Sequence, residues 1–269
     1  MKRLKLIMGN KKIRSVLYAV FIASILVACG DKVKDTEKIE SDNAKESVEE
    51  PIKESTEEAD TELEIDFEEI RKEAPDAFAW LDIPDTGISA PILQNATYES
   101  DYYASHDSTG AESSTGAIYT EFPNATDFCD FNEIIYGVDR EVVLSYKNPD
   151  YFNKHRNIEI YIEGNHMTYE VVMSRSWEKQ DLLEYYAFPI DMECYRFLTE
   201  LYDTRTLSDN IADNYLETTY RDFIVTLVAD EPADASKQYM VIAKLVNDRE
   251  GTIGHQDTSE FNPDNYIPE

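Results

Sequence analysis

The side chains best suited to chemistry in this chain are acids. Asp230, Glu231 and Asp234 follow closely on Thr226-Leu227, and Asp139 stands just after Tyr136-Gly137-Val138. If a fold brings such carboxylates together, they form a pair with separated proton affinities, suited to acid–base work, or an oxygen-rich site for a hard cation such as Ca2+. The plain alternative is that loops collect acids in any chain carrying 55 Asp and Glu. Thiols are the other resource. Of the three cysteines, Cys129 lies in the loop Phe122–Asn132 and Cys194 in a helical pattern that suits a small buried residue. Neither has the CxxC or CxxH company of a metal or redox site. His106, His155, His166 and His255 are scattered, without a partner at ligand spacing. There is no P-loop, GxGxxG, HExxH or GxSxG, and no cofactor or resident metal is expected.

The third cysteine, Cys29, has a different context. Lys2, Arg3, Lys5, Lys11, Lys12 and Arg14 form a basic start with no acid, and an apolar run from Val16 to Ala28 follows. That run has the length of a signal-peptide core and is short for a membrane span. It ends in Leu26-Val27-Ala28-Cys29-Gly30, which resembles the lipobox of bacterial lipoproteins. The resemblance implies cleavage after residue 28, lipidation of Cys29, and anchorage at the outer face of the membrane in a Gram-positive-type envelope.

Without residues 1–28 the chain keeps 19 basic against 55 acidic residues, a net charge of −36. Such a surface repels phosphate backbones and anionic headgroups, so nucleic acid is excluded as a partner and membrane contact is left to the lipid. The stretch Asp31–Asp66 has 15 acids, five Lys and no aromatic residue, the composition of an extended, solvated tether. The expected organisation is therefore a signal at 1–28, an acidic tether at 29–65, a folded domain at 66–246 and a polar tail at 247–269.

The elements that must position the candidate groups begin at Asp66, a good N-cap, with Phe67, Ile70 and Ala74 on one helical face before Pro75. Short apolar runs rich in Ile, Val and Tyr then alternate with turns: 79–83, 88–93, 117–122, 134–137, 158–162, 169–174, 223–228 and 239–246. One clear helix interrupts them, with Tyr195, Leu198, Leu201 and Tyr202 at helical spacing. Eight strands with few helices predict a mainly β fold: a closed eight-stranded barrel, an N-terminal helix and one or two peripheral helices.

An ordered set of motifs resembles the class B sortase domain. It opens with the run Ala74–Gln94, which carries Pro75-Asp76, Trp80-Leu81, Ile83, Gly87 and Pro91. Asp101-Tyr102-Tyr103, His106-Asp107, Gly116-Ala117-Ile118-Tyr119 and Ile134-Ile135-Tyr136-Gly137 follow, then Thr226-Leu227 and the closing run Gln238–Leu245. The match extends over about residues 66–246. Sortases are extracytoplasmic cysteine transpeptidases. Their cysteine attacks the carbonyl of a sorting signal, a histidine handles protons, and an arginine steadies the oxyanion.

The chain departs from that family at all three positions. The family's Tyr-Gly-His is Tyr136-Gly137-Val138, its Thr-Leu-Ser-Thr-Cys is Thr226-Leu227-Val228-Ala229-Asp230, and the arginine that opens the last strand falls on Gln238. Valine carries no proton, and a carboxylate attacks far more weakly than a thiolate. Gln238 donates only a neutral hydrogen bond, while strand alternation turns neighbouring Lys237 to the other face. The expectation is a catalytically inactive, surface-anchored sortase-like pseudoenzyme. Its partner would be a sorting-signal-like peptide or a cell-envelope component: an active sortase, a pilus or haem-uptake protein, or peptidoglycan. The alternative is a transpeptidase or peptidase with a rebuilt site. It would use Asp139, Asp230, Glu231 and Asp234, or else Cys129 or Cys194 as nucleophile. The tyrosines, among them Tyr98, Tyr102, Tyr103, Tyr185 and Tyr186, suit a groove floor or a half-buried rim equally well.

Overall fold

The computed structural model describes residues 63–95, 97 and 100–254. The signal, Cys29, nearly all of the tether, Tyr98 and His255 lie outside them. The chain divides into Met1–Ala59 and Asp60–Glu269, and every described residue belongs to the second unit. The described residues form nine strands: β1 (Ala77–Ile83), β2 (Ile88–Leu93), β3 (Tyr119–Thr120), β4 (Asn132–Tyr136), β5 (Asn157–Ile162), β6 (Asn165–Glu178), β7 (Asn210–Ile211), β8 (Ile224–Asp230) and β9 (Lys237–Asp248). They pair in the order β5-β1-β2-β3-β4-β8-β9-β6-β7, and β5 pairs with β6 as well. That pairing closes eight strands into the expected barrel, and two-residue β7 is added on β6 at Met173 and Ser174. The β2–β3 and β4–β8 pairs are parallel and the rest antiparallel. Among the described residues, no helix is long and apolar enough to cross a membrane.

Two apolar clusters explain the strand sequences. β1 alternates, with Ala77, Ala79, Leu81 and Ile83 buried and the residues between them half-exposed, as a strand with one dry face should. β8 and the Tyr239–Ala243 part of β9 are buried on both faces and so read as near-continuous apolar runs, while β4 is equally buried but carries Asn132 and Glu133. Their inward residues, including Ile135, Val225, Leu227 and Val241, join Leu81 and Tyr169 in the barrel interior. Their outward residues, including Ile134, Ile224 and Ile242, pack under Phe197 and Leu201.

Phe197 and Leu201 belong to α5 (Asp191–Asp203), the helix expected from periodicity. It lies in the long connection between β6 and β7, together with α4 (Leu182–Tyr185), whose N-cap Asp181 accepts from the amides of Leu183 and Glu184. Asp66 caps α1 (Phe67–Ile70) as expected, although that helix stops short of Pro75. Two further helices exceed the expected number: α2 (Arg140–Ser145), capped by Asp139, and α3 (Pro149–Lys154), capped by Asn148 with proline in its first turn. Each has six residues, too few to display a helical period.

The C-terminal boundary also shifts. β9 continues to Asp248, and the chain then folds back: Asp248 accepts from the amides of Gly251 and Ile253 and from the Asn165 side chain. Residues 247–254, the described part of the expected tail, thus return against the barrel.

Candidate functional site

The turn after β4 is built around Gly137. Its φ of 75° favours glycine, and a Cβ there would meet the Ala117 carbonyl oxygen at 1.8 Å. The turn sends Val138 into the barrel interior, where it is buried in the same cluster as Ala229 and Tyr239. Those two residues are the chain neighbours of Asp230 and Gln238, so the three positions of interest converge at one end of β4, β8 and β9.

Asp230 and Gln238 are cross-strand partners, and Gln238 is also paired with Trp177 of β6. The three residues form a row across the sheet. Asp230 is exposed, and one of its carboxylate oxygens takes the Lys179 ammonium at 2.6 Å. Gln238 is 4% exposed and donates to the Gln180 carbonyl at 3.2 Å. Lys237 is half-exposed, with Glu178 at 3.8 Å.

The other acids have separate roles. Asp139 caps α2 through the Glu141 amide at 2.8 Å. Glu231 is buried and accepts the Lys147 ammonium at 2.6 Å, and Lys147 also lies over the Tyr239 ring. Asp234 takes both the amide and the hydroxyl of Ser236, which hold its carboxyl below the usual range. Each candidate carboxylate thus has its own local partner. Among the described residues, no group of three or more His, Cys, Asp or Glu has the arrangement to hold a metal ion.

One acid that sequence reasoning missed is Glu121. Its carboxyl is pushed up to about 7, first by burial and then by Asp181, Asp101 and Glu184. Tyr119 and Tyr136 stack beside it with ring centroids 5.4 Å apart. Burial raises both phenols, with Glu121 contributing to each and Asp230 to Tyr119. Chain position hid this group, because Asp101, Glu121 and Asp181 come from three different connections. Of the other tyrosines, Tyr103 and Tyr186 are buried, Tyr102 is half-buried and Tyr185 is exposed.

The thiols are poorly disposed to attack. Cys129 and Cys194 are both free. Burial raises the Cys129 thiol, and Asp127 and Asp130 add to the rise. Cys194 is pushed up to about 12, mainly by burial, and donates to the Phe188 carbonyl at 3.0 Å. A nucleophilic cysteine needs the opposite shift. The described histidines stack on tyrosines: His106 on Tyr102, His166 on Tyr161, and His155 tilted against Tyr151. His166 also meets Glu159 at 2.9 Å.

No protein-family model matches the chain. Sortase B of Listeria monocytogenes is 27% identical over 195 residues, which span 69% of this chain and 76% of that protein. The structure of Clostridium perfringens sortase B superposes with a TM-score of 0.58 at 21% identity, covering 67% of this chain and 99% of that one. For Staphylococcus aureus sortase B the TM-score is 0.57 at 23% identity, over 67% of this chain and 86% of that one. A second Staphylococcus aureus structure, a sortase B–substrate complex, gives 0.56 at 23% identity over 67% and 84%. The chain is similar to class B sortases in sequence and has their fold.

Proposed function

We propose that this chain is a sortase-like surface lipoprotein that has lost sortase chemistry and binds a peptide of the sorting-signal kind. The observation that carries this reading is the facing pair Asp230 and Gln238, with buried Val138 beside them. These are the positions where the resemblance calls for cysteine, arginine and histidine. A carboxylate already held by Lys179 is a poor nucleophile, and its acyl product would be an anhydride. Gln238 brings no charge to an oxyanion, and Val138 has no proton to give. The peptide class is supported by the Staphylococcus aureus relative, which has been solved with its substrate. Anchorage at the outer face of the membrane through Cys29 is supported by the sequence around that cysteine.

The test is to incubate the full chain with a library of sorting-signal-like peptides and read cleavage and covalent adducts by mass spectrometry. A parallel sample carries Val138→His, Asp230→Cys and Gln238→Arg together. The expected result is a silent native protein that binds one peptide class, with cleavage by the restored variant. Cleavage by the native chain would overturn the reading.

A second reading, acid–base chemistry rebuilt on carboxylates, is favoured by Glu121, whose proton affinity suits a general acid or base near neutral pH. It requires turnover by the native chain that Glu121→Gln abolishes.

A further inference from the structure

Far from the row of Asp230, Gln238 and Trp177, β4 carries a second unusual acid. Glu133 pairs in register with Val225, an inward residue, so its side chain enters the barrel interior. It is 1% exposed, and neither carboxylate oxygen has a hydrogen-bond partner. An ionised carboxylate in that position would be uncompensated at a cost far above that of its neutral form. Burial first, then Asp130 and Asp127, raise its proton affinity well above the ordinary range.

Both of those aspartates sit on the connection 121–131, which closes this end of the barrel. Phe128 projects from it into the interior cluster against Phe78, and is 1% exposed. It holds that place with a φ of 58°, a left-handed conformation that costs a bulky residue on the order of 1–3 kcal/mol. Asn124 ties the connection to β4 through the Asn132 carbonyl and the Ile134 amide. Asp127 accepts from the Cys129 amide, and Asp130 from the Ala125 amide.

We propose that the connection 121–131 is a pH-sensitive plug, closed over Glu133 while that carboxyl carries its proton and loosened when the proton is lost to solvent. The titratable groups facing Glu133 are Asp127 and Asp130 from the plug and the Tyr169 hydroxyl from β6. Cys129 and Asp248 act on Tyr169 in turn. The β8 partner, Val225, brings no charge. All of these groups are acids, so none compensates a Glu133 anion. Ionisation would set three carboxylates against one another beneath a strained Phe128. The closed form binds a proton that the open form releases, so closure is favoured at low pH and lost as pH rises.

Hydrogen exchange of the amides of residues 124–131, corrected for intrinsic rates, tests this on the full chain at pH 5 and pH 9. Protection should fall by at least about ten-fold in the native chain, the change one proton gives per pH unit. In Glu133→Gln the fall should be smaller by that factor, the remainder being what Glu121 contributes. An equal fall in both proteins, or no fall in the native chain, would overturn the proposal. If the variant does not fold, infrared spectra of the Glu121→Gln chain, free of the other carboxyl that stays protonated near neutral pH, decide the matter. A protonated-carboxyl band that persists at neutral pH and disappears in step with loss of protection upholds it, and its absence at neutral pH overturns it.

Discussion

Asp230 and Gln238 face each other across β8 and β9, and both are tied to consecutive residues of the connection that follows β6. Asp230 takes the Lys179 ammonium, and Gln238 donates to the Gln180 carbonyl. The place where the resemblance calls for a nucleophile and its electrostatic helper is used here to pin the start of a long connection to the sheet.

The two ties differ in weight. Asp230 and Lys179 are 67% and 49% exposed at their side chains, and exposed ion pairs are worth about 0–1 kcal/mol. Gln238 is buried, so truncation loses its packing as well as a part-buried hydrogen bond worth roughly 0.5–1.5 kcal/mol. Urea unfolding should show Asp230→Ala close to the native midpoint and Gln238→Ala clearly below it. Equal losses would mean that Asp230 is more than a surface anchor.

Gly137 admits no side chain. Alanine there would meet the Ala117 carbonyl and keep a left-handed φ, so the turn must rearrange. Gly137→Ala should lose more than about 2 kcal/mol of stability in the same experiment. Gly164, also at positive φ but with open space around its Cβ position, should lose less on the same substitution.

Glu121 should titrate near 7 in the folded chain, as read by carboxyl chemical shifts. Asp181→Asn removes the largest charge acting on it and should lower that midpoint. The unfolded carboxyl gives up its proton at lower pH than the folded one. Between the ordinary carboxyl value of 4.5 and about 7 this group therefore makes stability fall as pH rises. Glu121→Gln should flatten that part of the profile, and an unchanged profile would refute the assignment.

Cys194 should resist alkylation in the folded chain at pH 8 and react fully once unfolded, because burial holds it as a thiol. Mass spectrometry of the alkylated chain reads this directly. Rapid labelling of the folded protein would require α5 to open.

The barrel was legible in the amino-acid pattern alone. Runs such as 88–93 and 158–162 coincide with β2 and β5 to within a residue, because short β-branched stretches between turns leave a chain few alternatives. Strand ends were less legible. β6 extends to Asn165–Glu178 through polar residues, since an antiparallel ladder with β9 stabilises backbone that has no apolar signal. Val138, Asp230 and Gln238 were singled out by their places in motifs, and the register of β8 and β9 sets the latter two opposite each other. What those carboxylates do was a matter for the tertiary structure. Asp230, Glu231 and Asp234 look like a cluster along the chain, yet Lys179, Lys147 and Ser236 take them one at a time, and Asp139 is the cap of α2. Glu121 and Glu133, unremarkable as letters, become the most perturbed acids because burial and neighbours from other connections act on them. Desolvation and charge depend on distance through space, and spacing along the chain does not encode it.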